Sequence, residues 1–317
     1  MKKAVQHIRT LEAAQLSRPS LVTIGVFDGV HRGHQHLIRQ MVSYAQSHDL
    51  LAVALTFYPY PAMVIGGFRP GYYLTLPDIK AKYLGELGID LVVTHPFDDQ
   101  VRHIRAASFV DSLIAHLNMQ ALWVGEDFAL GYQREGNVAF LQEQAKLRGF
   151  ELRVVDMMDA GGERISSTRI REELQKGDVK EAARLLGRLY WLSGTVIEGA
   201  KRGRTIGIPT ANLSISEEQA VPARGVYAAF AHVDQKPWPA VVNIGYRPTF
   251  DGQRSRTVVE AHLLDFAADL YGQELGLEFV ARLRDEQTFD GVAALLAQIQ
   301  RDIVLARKLL GEYSHKV

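Results

Sequence analysis

Cysteine is absent from all 317 residues. No disulfide, thiolate-bound zinc, iron–sulfur cluster or thiolate nucleophile can therefore form. Charge of one sign is also lacking: Lys plus Arg and Asp plus Glu are 36 each, for a formal net charge of zero. Bulk attraction to nucleic acid is disfavoured, while a local anion site stays open. No apolar run approaches the ~18 residues that cross a bilayer. Lys2 and Lys3 lead into His7, Arg9 and Glu12, not into a secretory apolar segment. These absences predict a cytoplasmic protein with neither a nucleic-acid nor a membrane partner; nothing in the sequence sets an oligomeric state. What is present is ordinary for a folded protein, 47% apolar and 23% charged residues. The length suits two domains better than one core.

The first half alternates between strand and helix patterns. Residues 21–26, 51–57, 91–93, 122–124 and 152–156 read as strands rich in Val, Leu and Ile. Between them, Leu37, Ile38, Met41, Val42 and Ala45 recur at helical spacing, and residues 78–87, 109–117 and 138–147 read as helices. Such alternation predicts a parallel sheet with helices on both faces and ligands at the carboxyl ends of the strands. A short helical stretch covers 169–186. Near Gly187 the alternation stops. Residues 191–197, 211–215, 226–233, 240–244, 258–264 and 277–283 follow one another as strands separated by Gly, Pro and Asp. Six strands without helices between them predict a small antiparallel barrel, closed by one amphipathic helix over 292–310. The expected domains are 1–186 and 187–317.

The strand ending at Val26 runs into Phe27-Asp28-Gly29-Val30-His31-Arg32-Gly33-His34, ahead of a helix expected to begin near Gln35. A helix start offers free N–H groups and a positive dipole end, which favour phosphate. Gly29 and Gly33 would let backbone approach a ligand. His31 and His34 could donate hydrogen bonds to a reacting phosphate. A plain surface turn and a metal site of His31, His34 and His36 are the competing readings. The longer stretch Gly25 to His34 resembles the G-x-F-D-G-x-H-x-G-H signature of prokaryotic FAD synthetases, within the nucleotidylyltransferase superfamily. By that resemblance Gly25, Phe27, Asp28 and Gly33 belong to the nucleotide site, and the fold is Rossmann-like.

Ile165-Ser166-Ser167-Thr168-Arg169-Ile170-Arg171 opens a second helix with hydroxyls and guanidinium groups. Read alone it is an N-cap with two surface arginines. It resembles the I-S-S-T-x-I-R element of the same superfamily, which implies that Ser167, Thr168 and Arg171 hold the ATP phosphates. Val124 to Gly131 is similar to V-G-x-D-F-x-F-G, with Leu130 for the second aromatic. This implies that Asp127 belongs to the flavin and adenine pocket. In Tyr58-Pro59-Tyr60-Pro61, Tyr60 stands where the family pattern has His. A phenol donates a hydrogen bond but carries no positive charge.

The second half holds a basic loop, Gly199-Ala200-Lys201-Arg202-Gly203-Arg204, that could cradle phosphate or be a charged hairpin. Thr210 and Asn212 sit two residues apart on one strand face, with oxygen donors suited to Mg²⁺. Glu260, His262 and Leu264 also share a face by the period of two; a carboxylate among apolar neighbours could act as a general base, and an exposed Glu on a solvent-facing strand side is the competing reading. Gly207-Ile208-Pro209-Thr210-Ala211-Asn212, Gly225-Val226-Tyr227, the stretch 243–250 and the stretch 260–266 resemble riboflavin kinase. The resemblance puts Lys201 and Gly203 on the nucleotide, and Arg284 and Glu286 on the flavin side.

Together the motifs imply a bifunctional flavin enzyme. One domain would use ATP and Mg²⁺ to phosphorylate riboflavin to FMN; the other would adenylylate FMN to FAD. A chain with a live kinase domain only is the runner-up. A flavin-binding regulatory protein without turnover is the alternative from another class; it has no need of His31, His34 and Glu260.

Overall fold

The computed structural model describes residues 5–155, 165–199, 207–247 and 256–314. In the first half the elements run β1 (Gln6–Ile8), β2 (Ser20–Ile24), α1 (Arg32–Ser47), β3 (Leu51–Tyr58), α2 (Pro61–Gly66), α3 (Pro77–Glu86), β4 (Leu91–Pro96), α4 (Asp99–Arg102) and α5 (Ala106–Leu117). They continue with β5 (Met119–Gly125), a two-strand hairpin of β6 (Ala129–Leu130) and β7 (Gly136–Asn137), α6 (Val138–Arg148) and β8 (Glu151–Val155). The main sheet is parallel, in the order β1-β4-β3-β2-β5-β8. Its central strands read as unbroken apolar runs because both faces are covered. Val22, Ile24, Leu122 and Val124 pack under α5 on one face. Leu21, Ala121 and Trp123 pack under α1 on the other. The expected strands and helices are all found; β1 at the edge was too short to announce itself.

The second half contains α7 (Ser167–Lys176), α8 (Val179–Leu186), then β9 (Tyr190–Ile197), β10 (Ala211–Ile215), β11 (Gly225–Val233), β12 (Lys236–Arg247), β13 (Arg256–Leu263), β14 (Glu274–Arg284) and α9 (Val292–Ser314). The six strands close into an antiparallel barrel, β10-β13-β12-β11-β14-β9, with β9 paired back to β10. Strand β12 begins four residues earlier than the expected start at 240. Asp234 and Gln235 both take positive φ, 49° and 65°, and make a two-residue hairpin turn that pairs Val233 with Lys236. Helix α9 lays Ala306 and Leu310 over Ala228 and Val280.

By contacts, Met1–Arg69 with Thr75–Ser167 form one compact unit, and Pro70–Leu74 with Thr168–Val317 the other. Helices α7 and α8 thus go with the barrel. Leu174 O accepts from Ala223 N at 2.8 Å, and Lys176 O from Arg282 Nη1 at 3.1 Å. The short strap 70–74 also joins this unit: Gly71 N donates to Glu217 O, Tyr73 N to Glu218 O and Ala220 N to Tyr73 O.

Two candidate phosphorus-transfer sites

In the first unit a crevice of about 450 Å³ opens at the carboxyl ends of β2 and β5, where the strand order reverses. Residues 23–28, His34, Leu37, 125–128 and Ser167 line it. Gly25 lies under the Phe27 ring, so closely that an added Cβ would stand 2.9 Å from Phe27 Cζ. The next residues form a left-handed turn: φ is 46° at Phe27, 75° at Gly29 and 40° at Val30. A β-branched residue at positive φ is strained, and such strain persists only where the surroundings over-determine it.

Helix α1 starts at Arg32, three residues earlier than expected. His31 is its N-cap, with Nδ1 accepting from His34 N at 3.4 Å. Gly33 and His34 therefore lie inside the first turn, not ahead of it. The two imidazoles stack with centroids 3.6 Å apart and 18° between planes. Both are buried, and the edge of Phe27 meets His34. Among the described residues no group of three or more His, Asp or Glu side chains could hold a metal ion; His36 instead contacts Gln40.

Behind the turn stands a buried polar layer. Asp28 Oδ1 accepts from Tyr60 Oη at 3.0 Å and from Thr75 N at 3.2 Å. Thr75 Oγ1 accepts from Gly29 N, and Ser167 Oγ donates to Asp28 O at 2.9 Å. Tyr60 is 1% exposed, so its hydroxyl serves Asp28 rather than a ligand in the crevice. Lys80, also 1% exposed, was not singled out by the sequence reading, although it sits four residues before Leu84 on the buried stripe of α3. Burial pushes its amine down to about 7, against the pull of the Asp28 carboxylate. Above pH 7 the folded unit releases a proton that the unfolded chain keeps up to its ordinary 10.5. Stability from this group therefore rises with pH, by about 1 kcal/mol per unit across that window. Urea midpoints at pH 7 and 9, read by Trp123 fluorescence in a background carrying Trp191→Phe and Trp238→Phe, should show the parent gaining on Lys80→Met. Equal shifts in both proteins would mean that Lys80 stays charged when buried.

Other expected residues take varied positions. Asp127 is on the exposed turn after β5, its carbonyl held by Arg134. Thr168 is exposed on α7. Arg171 belongs to the second unit, where Nε donates to Tyr72 O at 2.6 Å and the guanidinium lies over the Tyr72 ring. Lys201 and Gly203 lie outside the described residues.

In the barrel, Glu260 pairs across β13 with Asn212 of β10 on one side and with Asn243 of β12 on the other. The inward residues of β13 are Val259, Ala261 and Leu263, all buried. The rung Asn212–Glu260–Asn243 therefore lies on the outer face. Its neighbours are two amides rather than the apolar side chains expected, and Leu264 falls beyond the strand. Asn243 was within a recognised motif but carried no assigned role. Gly199 packs on the Asn212 amide, where an added Cβ would come within 2.7 Å of Oδ1. Glu286 is on the same face as Asn243: a Cβ at Gly245, two residues along β12, would be 2.3 Å from Glu286 Oε1. Thr210 borders an adjoining cleft of about 520 Å³ with Pro209, Ala211 and Phe266. His262 meets Pro209 O at 2.8 Å, which ties the strand to that rim. Arg284 forks onto Asp302 of α9, with Nη2 to Oδ2 at 2.8 Å, so its guanidinium is held by a buried carboxylate.

The chain thus carries two clusters of polar side chains, stacked histidines at a helix start in one unit and a carboxylate between two amides in the other. The family described as FAD synthetase matches residues 13–169, and the one described as riboflavin kinase matches 186–310. A bifunctional riboflavin kinase/FMN adenylyltransferase of Escherichia coli strain K12 is 38% identical over 311 residues, 98% of each chain. One from Listeria monocytogenes is 37% identical over 283 residues, 89% of this chain and 90% of the relative. A crystal structure from Streptococcus pneumoniae, described as a macrolide-efflux protein, matches with a TM-score of 0.85 and 30% identity, over 96% of this chain and 99% of that one. In this chain no described helix is long and apolar enough to cross a membrane. The chain belongs to the bifunctional riboflavin kinase/FMN adenylyltransferase family, and its activities are those two, in flavin cofactor synthesis.

Proposed function

We propose that the crevice of the first unit joins FMN to the AMP part of ATP, and that the outer face of the barrel around Glu260 makes the FMN. What carries this reading is that each unit has its own cluster: a stacked His31–His34 pair at a helix start, and a carboxylate between two amides.

In the kinase site Glu260 takes the proton of the terminal ribityl hydroxyl as its oxygen attacks the γ-phosphorus of ATP, and ADP leaves with the bridging oxygen. Thr210 and Asn212 offer hydroxyl and amide oxygens, hard donors that fit Mg²⁺, and the Gly199 backbone seats the Asn212 amide. Mg²⁺, when bound, supplies charge neutralisation on the ATP phosphates. Lys201 and Gly203 complete the nucleotide side. Glu286 orients the flavin, and Arg284 shapes that side through its pair with Asp302.

In the adenylylation site an FMN phosphate oxygen attacks the α-phosphorus and pyrophosphate leaves. That oxygen is already anionic, so no strong base is needed. His31 and His34 donate to the reacting phosphates, and Gly25, Phe27, Asp28 and Gly33 shape the turn that presents them. Ser167 serves the ATP phosphates, and Asp127 the flavin side. Both reactions consume ATP, which supports a cytoplasmic enzyme acting on small molecules.

The functional division at 186/187 is tested by two fragments. Residues 187–317 should convert riboflavin to FMN, stop when Mg²⁺ is chelated, and leave added FMN unconverted. Residues 168–317 should do the same with a higher thermal midpoint, because α7 and α8 bury Ile170, Leu174, Leu185 and Leu186. Each ~1 kcal/mol so gained is worth about 4 °C. A folded 187–317 that makes no FMN would reject a self-contained kinase.

A further inference from the structure

Lys80 carries a buried amine that the chemistry above does not use. Its Nζ donates to Val26 O at 2.9 Å and to Thr56 Oγ1 at 3.2 Å, and lies 4.5 Å from the centre of the Tyr60 ring. Thr56 Oγ1 in turn donates to Val26 O at 3.2 Å. One carbonyl thus receives two donors. It belongs to the peptide that enters the left-handed turn, immediately before Phe27. A carbonyl with both lone pairs engaged cannot tilt without losing a buried hydrogen bond. Tyr60 and Thr75 hold the Asp28 side chain from the same layer. Four residues past the clamped peptide the chain reaches His31, the N-cap of α1.

A Met of similar length could fill this volume without the cost of burying an amine. The amine does what Met cannot: it sets the plane of the Val26–Phe27 peptide. We propose that Lys80 is a positioning residue for adenylyl transfer, clamping the Val26 carbonyl together with Thr56 so that the turn 27–30 delivers His31 and His34 to the reacting phosphates. The proposal rests on the assignment of those two histidines made above. Lys80 acts from behind the turn and touches no substrate.

The full chain carrying Lys80→Met tests it. With saturating Mg²⁺ and ATP, kcat for FMN adenylylation should fall about 30- to 100-fold, the scale of a misplacement near 1 Å. KM for FMN and for ATP should stay within about threefold, because binding contacts are kept while transition-state contacts are lost. Riboflavin phosphorylation in the same preparation serves as the internal control for folding of the other unit. Thr56→Val removes one of the two donors and should lower the same kcat by about 3- to 10-fold. Added to Lys80→Met it should cost less than about twofold more, since both act on one carbonyl.

An unchanged kcat in folded Lys80→Met overturns the proposal. So does a rise in KM alone, or losses that multiply in the double variant. Where Lys80→Met does not yield a folded first unit, Thr56→Val decides by the same criteria. His34→Ala separates this inference from the reading beneath it. Full adenylylation by His34→Ala with a slow Lys80→Met would remove the histidine role, and with it this proposal. A slow His34→Ala with a normal Lys80→Met keeps the histidines and overturns Lys80 alone.

Discussion

Glu260→Gln should lower the rate of riboflavin phosphorylation by roughly 10²–10⁴, the usual loss when a positioned general base is removed. Glu260 stands in the middle of β13, on one rung with Asn212 and Asn243. Its backbone is held by pairing on both sides, so a substitution that keeps shape does not disturb the barrel. Gln fills the same space and keeps a hydrogen-bonding head group, but it cannot accept the ribityl proton. Riboflavin affinity, followed by flavin fluorescence, should change by less than about threefold, since uniform binding is retained. Adenylylation of supplied FMN should persist at the wild-type rate, because that chemistry belongs to the other unit. A Glu260→Gln protein that phosphorylates riboflavin normally would falsify the base assignment and leave a strand carboxylate paired with two amides.

His34→Ala should act in the opposite half. FAD formation from FMN should fall by about 10²–10³, the cost of one preorganised donor at a developing charge. Formation of FMN from riboflavin should be spared. His34 lies in the first turn of α1 and stacks on His31 at 3.6 Å. Its removal also strips one face of His31, so the loss includes the orientation of that ring. The helix itself survives, since Ala is a strong helix former and the cap at His31 remains. His34→Gln retains a donor of similar reach and should recover part of the rate. Equal loss of both activities would instead point to a folding defect.

Much of this protein was legible without coordinates because the signals are local. The alternation of apolar runs with helical periodicity through residue 155 defines a parallel sheet, since only strands covered on both faces read as continuous Val, Leu and Ile. Consecutive short strands after Gly187 define a barrel for a related reason: closure is how six short antiparallel strands avoid open edges. The turn before α1 stands out through its glycines and histidines, and its resemblance to a nucleotide-site signature is what gave them a role.

Tertiary structure decided what depends on partners distant in sequence. Whether Glu260 faces apolar side chains or amides is a matter of register with strands some fifty residues before it and seventeen before it, and register is set by the whole barrel. Tyr60 stands where the family pattern has His; packing turns its hydroxyl to Asp28. Lys80 carries no local signal of its partner, and burial makes it the donor to Val26 O. Helices α7 and α8 had the period of any amphipathic helix, and period names the apolar stripe without naming the surface that covers it. Each of these residues has a type and a local conformation that a few neighbours determine. Its partner is chosen only when the chain closes on itself, because burial and hydrogen-bond pairing are properties of the packed whole.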